Sequence, residues 1–416
     1  MPALELPRVA RIRQRFARER IDDVGRAVRE AIDALGDRPR LQPGARIAIT
    51  AGSRGIAQIP AILAAIVASL RARGAEPFIV PAMGSHGGAT ADGQREVLAG
   101  YGITPEATGA PIQASMEVVE VGRTPRGVPV YLDRLAYEAD GIVVCGRVKA
   151  HTAFKAPIES GLCKMLAVGL GKQQGAETMH AAGLAQTIPQ AAQVALETGK
   201  VAFGVAIVEN AADEPYRIVA VPPERFHETD RELLRLSNSL LPRIPFDYLD
   251  VLIVDWIGKN LSGSGMDPNV IGMWRRLGGE RIPDYRRIVV RDLTPESHGN
   301  AIGIGWADFT TRRLVDAIDY HAMYTNCLTA NAPDVARVPM TMATDREAIE
   351  AAIKTATPAG PVRLARIHST LRLEELYVSE ALLPEVEANP ALELLEPPAP
   401  MEFDAAGRLG PPLLVK

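Results

Sequence analysis

Apolar residues recur along this chain in two periods, and the periods divide it into elements. Within a charged, helix-favouring stretch from Arg8 to Leu35, Val24, Val28, Ile32 and Leu35 fall at helical spacing, which predicts one amphipathic helix in its second half. Arg46-Ile47-Ala48-Ile49-Thr50 then reads as a buried strand, left by the turn Ala51-Gly52-Ser53-Arg54-Gly55. The Ala-, Ile- and Leu-rich run from Ile59 to Arg73 predicts a helix stopped by a glycine cap at Gly74, and Phe78-Ile79-Val80 a second strand. Strand, helix, strand in this order is a βαβ unit, with a right-handed crossover and a parallel sheet.

The pattern continues downstream. Gly141 to Cys145 is a short apolar run bounded by glycine, and Phe203 to Val208 is another, with Tyr216 to Val221 placed to pair with it. Helices are expected over Ile188–Thr198 and about Glu228–Ser237. Gln113–Leu135 alternates β-prone runs with turns. The prolines of Leu241-Pro242-Arg243-Ile244-Pro245 mark a hinge. Beyond it, strands are expected at Tyr248–Asp255, Ile288–Val290, Ile302–Ile304 and Val362–Ile367, with helices near Arg312–Ile318 and Arg346–Thr355. The fold class predicted is α/β: two α/β domains with mainly parallel sheets and an interdomain active-site cleft. The boundaries expected are 1–243 and 244–371, with a tail, about 372–416, that crosses back onto the first domain.

Parallel strands aim the turns that follow them at one edge, where α/β proteins hold ligands. The Ser53-Arg54 turn, Gly84-Ser85-His86 and the stretch Gly146 to Gly183 would meet there. That last stretch reads as a long loop and holds His151, Lys155, Lys164, Lys172 and His180, with Cys163 beside Lys164. Imidazoles and amines together can move protons, bind a metal or bond to a cofactor. His86 lies among small residues at a strand end, open to a ligand. Arg54 near a helix start suits an anionic group, although a surface salt bridge is an equally ordinary use. In the second domain Gly258–Asn269 is a Gly-rich strand-end loop carrying Lys259; it lacks Walker spacing, and GxGxxG is absent.

Composition removes several classes. The 416 residues carry a net charge of −4, which offers no field for nucleic acid. No uncharged apolar run is long enough to span a membrane, and no basic start leads into a hydrophobic segment, so a cytoplasmic protein is expected. Cys145, Cys163 and Cys327 show no CxxC pairing, which argues against a disulfide scaffold or thiolate zinc site.

Taken in order, Ala51-Gly52-Ser53-Arg54, Gly84-Ser85-His86 and the series His151, Lys164, His180 resemble the motifs of the nickel-dependent lactate racemase family. The likeness covers roughly the first half of the chain and extends more loosely to Lys259. It implies a nickel-pincer nucleotide, nickel pyridinium-3,5-bisthiocarboxylic acid mononucleotide, tethered through a lysine. Residue by residue, Lys164 would be the tether and His180 the nickel ligand, with Ser53 in the cofactor-binding motif. His86 and His151 would be the acid/base pair, Arg54 would hold the substrate carboxylate, and Lys259 would be a second-domain substrate contact. The Lys164–His180 interval matches the family, which favours Lys164 over Lys155 as the tether.

The family's chemistry suits these residue types. The Cα–H of a 2-hydroxy acid is too weakly acidic for an ordinary base, so inversion goes by hydride removal to the cofactor while the protein moves protons. Imidazole is also a suitable nickel ligand. Two departures stand out: Ala51 replaces an aspartate, and the His151–Lys164 interval is three residues longer than in the family, with Glu159-Ser160-Gly161-Leu162-Cys163 before the lysine. A racemase or epimerase of a larger 2-hydroxy acid or sugar acid is therefore expected. Its partners would be that small molecule and the cofactor-assembly enzymes, with no nucleic acid or membrane, and with room for a homo-oligomer. Two alternatives remain: an enzyme in which His86, His151 and His180 bind a metal directly without the pincer, and a ligand-binding homologue without turnover.

Overall fold

The computed structural model describes residues 5–38, 41–53 and 55–411. These fall into two compact units: one within Ala17–Leu241, the other from the chain up to Phe16 together with Pro242 onward. Fifteen strands are named in chain order: β1 (Val9–Gln14), β2 (Arg46–Ala51), β3 (Glu76–Pro81), β4 (Val118–Arg123), β5 (Pro129–Asp133), β6 (Gly141–Arg147), β7 (Val201–Glu209) and β8 (Pro215–Val221), then β9 (Tyr248–Ile257), β10 (Asp284–Leu293), β11 (Phe309–Thr311), β12 (Met340–Met342), β13 (Leu364–Ser369), β14 (Arg372–Ser379) and β15 (Leu392–Ala399).

In the 17–241 unit a five-stranded sheet runs β3-β2-β6-β7-β8. All neighbours are parallel except β7 and β8. Its strands are nearly continuous apolar runs because both faces are covered. Ile47, Ile49, Ile79, Val143 and Cys145 pack on one face with the helices Val24–Asp33 and Ile59–Ala72. Ala48, Phe78, Val80, Ile142 and Val144 pack on the other, with Leu162, Leu166 and the helix Leu184–Glu197. The β-prone stretch before β6 is the antiparallel hairpin β4–β5.

The second unit is built on an eight-stranded sheet, order β12-β11-β10-β9-β13-β14-β1-β15. It is parallel from β12 to β13 and antiparallel beyond. Three expectations change here. β14 and β15, in the stretch expected to cross back, flank β1, so they belong to this sheet together with the N-terminal strand. Its VARIRQ run buries Ala10, Ile12 and Gln14 while Arg11 and Arg13 reach Glu375, and such regular alternation of charge hides easily in a helix-favouring stretch. Ile302-Gly303-Ile304 is also no strand. It turns into a short helix, Ile304–Trp306, because Gly303 (φ 93°) and Gly265 (φ 78°) bring two loop backbones so close that a Cβ on Gly265 would lie 1.8 Å from the Ile302 carbonyl oxygen.

Candidate active site

Strands β3, β2 and β6 are neighbours and parallel, so the turns that leave them share one sheet edge. The β2–β6 ladder stops at Ile49–Val143. Past that point the Thr50 hydroxyl donates to the Cys145 carbonyl at 3.1 Å and accepts the Cys145 N–H at 2.9 Å, replacing a missing rung where the edge opens. Ser53 follows β2 and His86 follows β3, and the Ser53 hydroxyl bonds to His86 Nδ1 across the two turns. Tyr101 steadies the first turn by donating to the Ser53 carbonyl at 3.0 Å. The His86 side chain is exposed. Arg54 lies outside the described residues.

The turn after β6 carries His151, half-buried. Buried Glu159 organises it by accepting the His151 N–H at 2.7 Å, the Ala156 N–H at 3.2 Å and a proton of the Lys155 ammonium at 3.2 Å. His151 Nδ1 accepts the Ala153 N–H at 3.0 Å, which assigns the proton of the neutral ring to Nε2. Phe154 packs on the imidazole with ring centroids 4.5 Å apart.

The expected long loop ends sooner than its glycines suggest. From Leu162 to Ala182 the chain is largely helical: a turn at Leu162–Lys164, a π-helical segment at Met165–Gly169, and the helix Lys172–Ala182. π-Segments of this kind are frequent at functional sites. The glycines permit close packing instead of looping. A Cβ at Gly169 would lie 2.8 Å from the Ala82 carbonyl oxygen, and one at Gly146 would lie 2.7 Å from Met165 Cγ. The helical run starts on Asp230, which is fully buried and accepts the N–H groups of Leu162 at 2.9 Å and Cys163 at 2.8 Å. Burial pushes the Asp230 carboxyl up to about 6 from 3.8, against those two N–H groups, which pull it down.

Lys164 is half-buried on this run. Met165, next to it, rests against Gly52 and Gly146 at the ends of β2 and β6. His180, sixteen positions on from Lys164, feels its charge. The His180 pKa is lowered, first by the protein crowded around its ring and second by the Lys164 ammonium. Its side chain still reaches solvent, so burial here is local to the ring. Both effects favour the neutral imidazole, the form that binds a metal.

One bonded pair is therefore visible among the sequence candidates, Ser53 with His86, while Lys164 and His180 share one helical run and His151 stands on the adjoining strand end. Lys259 belongs to the other unit. There its ammonium donates to the Gly263 carbonyl at 2.7 Å and to Asn326 Oδ1 at 2.8 Å. Cys163 is buried and its thiol is pushed well up by burial and then by Asp230, which removes it as a nucleophile. Lys155 is held by Glu159. Sequence reasoning missed Glu159, Asp230, Gln94 and Asp133. All four are buried polar residues: Asp230, Gln94 and Asp133 have partners tens of residues away, which no local pattern records, whereas Glu159 binds His151, Lys155 and Ala156 within its own turn and could have been found there.

Among the described residues no three His, Cys, Asp or Glu side chains gather as a metal-binding group. His86, His151 and His180 are not gathered into such a group. A lysine beside a neutral histidine does suit a cofactor that brings its own metal donors and needs one tether and one imidazole. No helix among the described residues is long and apolar enough to cross a membrane.

Residues 8–190 match the family model of the lactate racemase N-terminal domain. No curated protein matches the chain. Among solved structures it is similar to the lactate racemase apoprotein from Thermoanaerobacterium thermosaccharolyticum, at 15% identity and a TM-score of 0.48 over 84% of this chain and 96% of that one.

Proposed function

We propose, from the match of residues 8–190 to the lactate racemase N-terminal domain, that the protein is an isomerase, a racemase or epimerase inverting the hydroxyl-bearing carbon of a 2-hydroxy acid. The observation that carries this reading is the bond between Ser53 and His86 across the turns after β2 and β3, beside the helical run of Lys164 and His180 whose Met165 packs at the ends of β2 and β6. Lys164 is the tether of a nickel-pincer nucleotide, His180 its nickel ligand, and Ser53 a cofactor contact. When bound, that group supplies an electrophilic acceptor for the hydride of the substrate Cα.

The chain's own residues do the rest. Asp230 fixes the start of the helical run, so the Lys164 side chain leaves from a set position. His86, oriented through Nδ1 by Ser53, takes or returns the substrate hydroxyl proton at Nε2. His151 accepts the Ala153 N–H at Nδ1 in the resting state; to take or return a proton at Nε2 its ring must carry a proton on Nδ1, so it gives up that contact in either direction. Arg54 is the proposed partner of the substrate carboxylate, and Lys259 a further proposed substrate contact. The departures from the family at Ala51 and in the longer His151–Lys164 interval are the ground for proposing a larger 2-hydroxy acid or sugar acid as substrate.

The test is racemisation of a panel of 2-hydroxy acids in D₂O by protein matured with the cofactor-assembly enzymes. Hydride transfer predicts interconversion with the Cα hydrogen retained. Deuterium at Cα, or no turnover by fully matured protein, would overturn the reading.

A further inference from the structure

Eight residues beyond Lys164, the same helical run holds a lysine in a different situation. Lys172 is completely buried and sits at φ 52°, a left-handed conformation uncommon for a residue with a side chain. Its ammonium donates to the carbonyl of Pro81 at the end of β3 and to Gln94 Oε1 at 3.1 Å, and it is ion-paired with Asp133, whose Oδ2 lies 2.9 Å away. An ammonium has three protons and accepts nothing, so only the oxygen end of the Gln94 amide can face it. The amide NH₂ is thereby turned the other way, where it donates to the carbonyls of Gly84 at 2.8 Å and His86 at 3.2 Å. Gln94 is itself fully buried. The turn it holds is pressed tightly into place: a Cβ on Gly93 would lie 2.0 Å from the Gly87 carbonyl oxygen, and one on Gly84 would lie 3.2 Å from Ala176 of the helix Lys172–Ala182.

We propose that Lys172 and Gln94 form a positioning relay that sets the His86 backbone against the helix carrying His180. Lys172 touches neither substrate nor cofactor in this scheme; it acts by orienting an amide. A buried ammonium is costly to desolvate, and an apolar side chain of similar length, with Asp133 neutralised as well, would fill the same space more cheaply. Such a side chain would leave the Gln94 amide without a direction. The assignment rests on the proposed role of His86, but the relay itself is a property of the apoprotein.

Two variants separate positioning from stability. Gln94→Met removes the relay without stranding a charge in the His86 turn. Lys172→Met with Asp133→Asn removes both charges of the pair, and the asparagine Oδ1 can still accept the Ala136 N–H that Asp133 accepts at 3.0 Å. Imidazole NMR of the ¹³C-His apoprotein should show the His86 resonance displaced in both variants, with His227 and His321 unmoved. In matured enzyme the Lys164 adduct and nickel content should match wild type while kcat falls about tenfold to a hundredfold, the cost of a displaced catalytic group. An unmoved His86 resonance in both variants overturns the relay whatever the activity. A fall in rate that only tracks lost adduct or nickel assigns the pair to general stability and overturns it too. Absence of turnover in wild type bears on the racemase reading alone, because the NMR comparison needs none.

Discussion

Two glycine-rich stretches follow strands in this molecule, one after β6 and one after β9, and both carry a lysine near the strand end. They differ in how the lysine is used. Lys259, after β9, is bound into its own loop through Gly263 and Asn326, and the neighbouring Asn260, Thr294 and Ser297 bond to one another. After β6, Lys164 stands on a helical run that Asp230 anchors from behind, and its charge acts on His180. The second arrangement places an amine and an imidazole at a surface; the first spends its polar groups on holding a loop. Glycine content alone does not distinguish them, but the destination of each ammonium does.

The largest expected effect is at Lys164. Lys164→Ala should abolish the cofactor adduct and bring racemisation to the background rate, whereas Lys259→Ala should leave the adduct mass intact. Intact mass and peptide mapping decide this. An adduct found on Lys155 or Lys172 instead would erase the contrast between the two stretches.

Next come the histidines. His86→Ala and His151→Ala should each keep nickel and the adduct yet lose about 10²-fold or more in rate, the usual scale for a missing general acid/base. His180→Ala should lose nickel first and activity in consequence. Metal analysis beside racemisation separates the two outcomes, and near-normal rates in both acid/base variants would end the proposed roles.

Asp230 tests the anchor. Its carboxyl, raised from 3.8 to about 6, holds its proton more tightly folded than unfolded. Its contribution to stability is therefore fully present below about pH 3.8 and is lost as pH rises through about 6. A shift of this size corresponds to about 3 kcal/mol. Asp230→Asn should remove that part of the slope between those pH values. Urea unfolding of the apoprotein at several pH values would show it as a difference curve between variant and wild type, and parallel curves would place the Asp230 carboxyl near its ordinary range.

The sequence made the βαβ start legible because Ile47, Ile49 and Phe78–Val80 alternate between two buried faces, and a buried parallel strand is apolar throughout. The order of the strand-end motifs was legible for the same reason: strands that neighbour in the sheet deliver their turns to one edge. The helical run at 162–182 was not, since Gly161, Gly169 and Gly171 read as loop when each in fact admits a close neighbour. Strand β1 was hidden by Arg11 and Arg13, whose partners Glu375 and Glu396 lie more than 360 residues away in the chain. Gln94, Asp133 and Asp230 were hidden likewise. A local pattern records which face of an element is apolar, not which distant polar group will be enclosed with it.

The smallest effect sharpens the contrast from the Lys259 side. Replacing Lys259 by methionine keeps the length of the side chain but leaves the Gly263 carbonyl and Asn326 Oδ1 without their charged donor. Hydrogen bonds to charged groups contribute about 1.5–3 kcal/mol, and this one is only half-buried, so a loss near the lower end is expected in the unfolding of this unit. If Lys259 also reaches substrate, the apparent KM should rise while kcat, nickel and the Lys164 adduct hold. Steady-state kinetics beside denaturant unfolding resolves the two roles. A stability loss with KM unmoved makes Lys259 a loop tie and removes it from substrate binding; a raised KM with stability unchanged makes it a substrate contact.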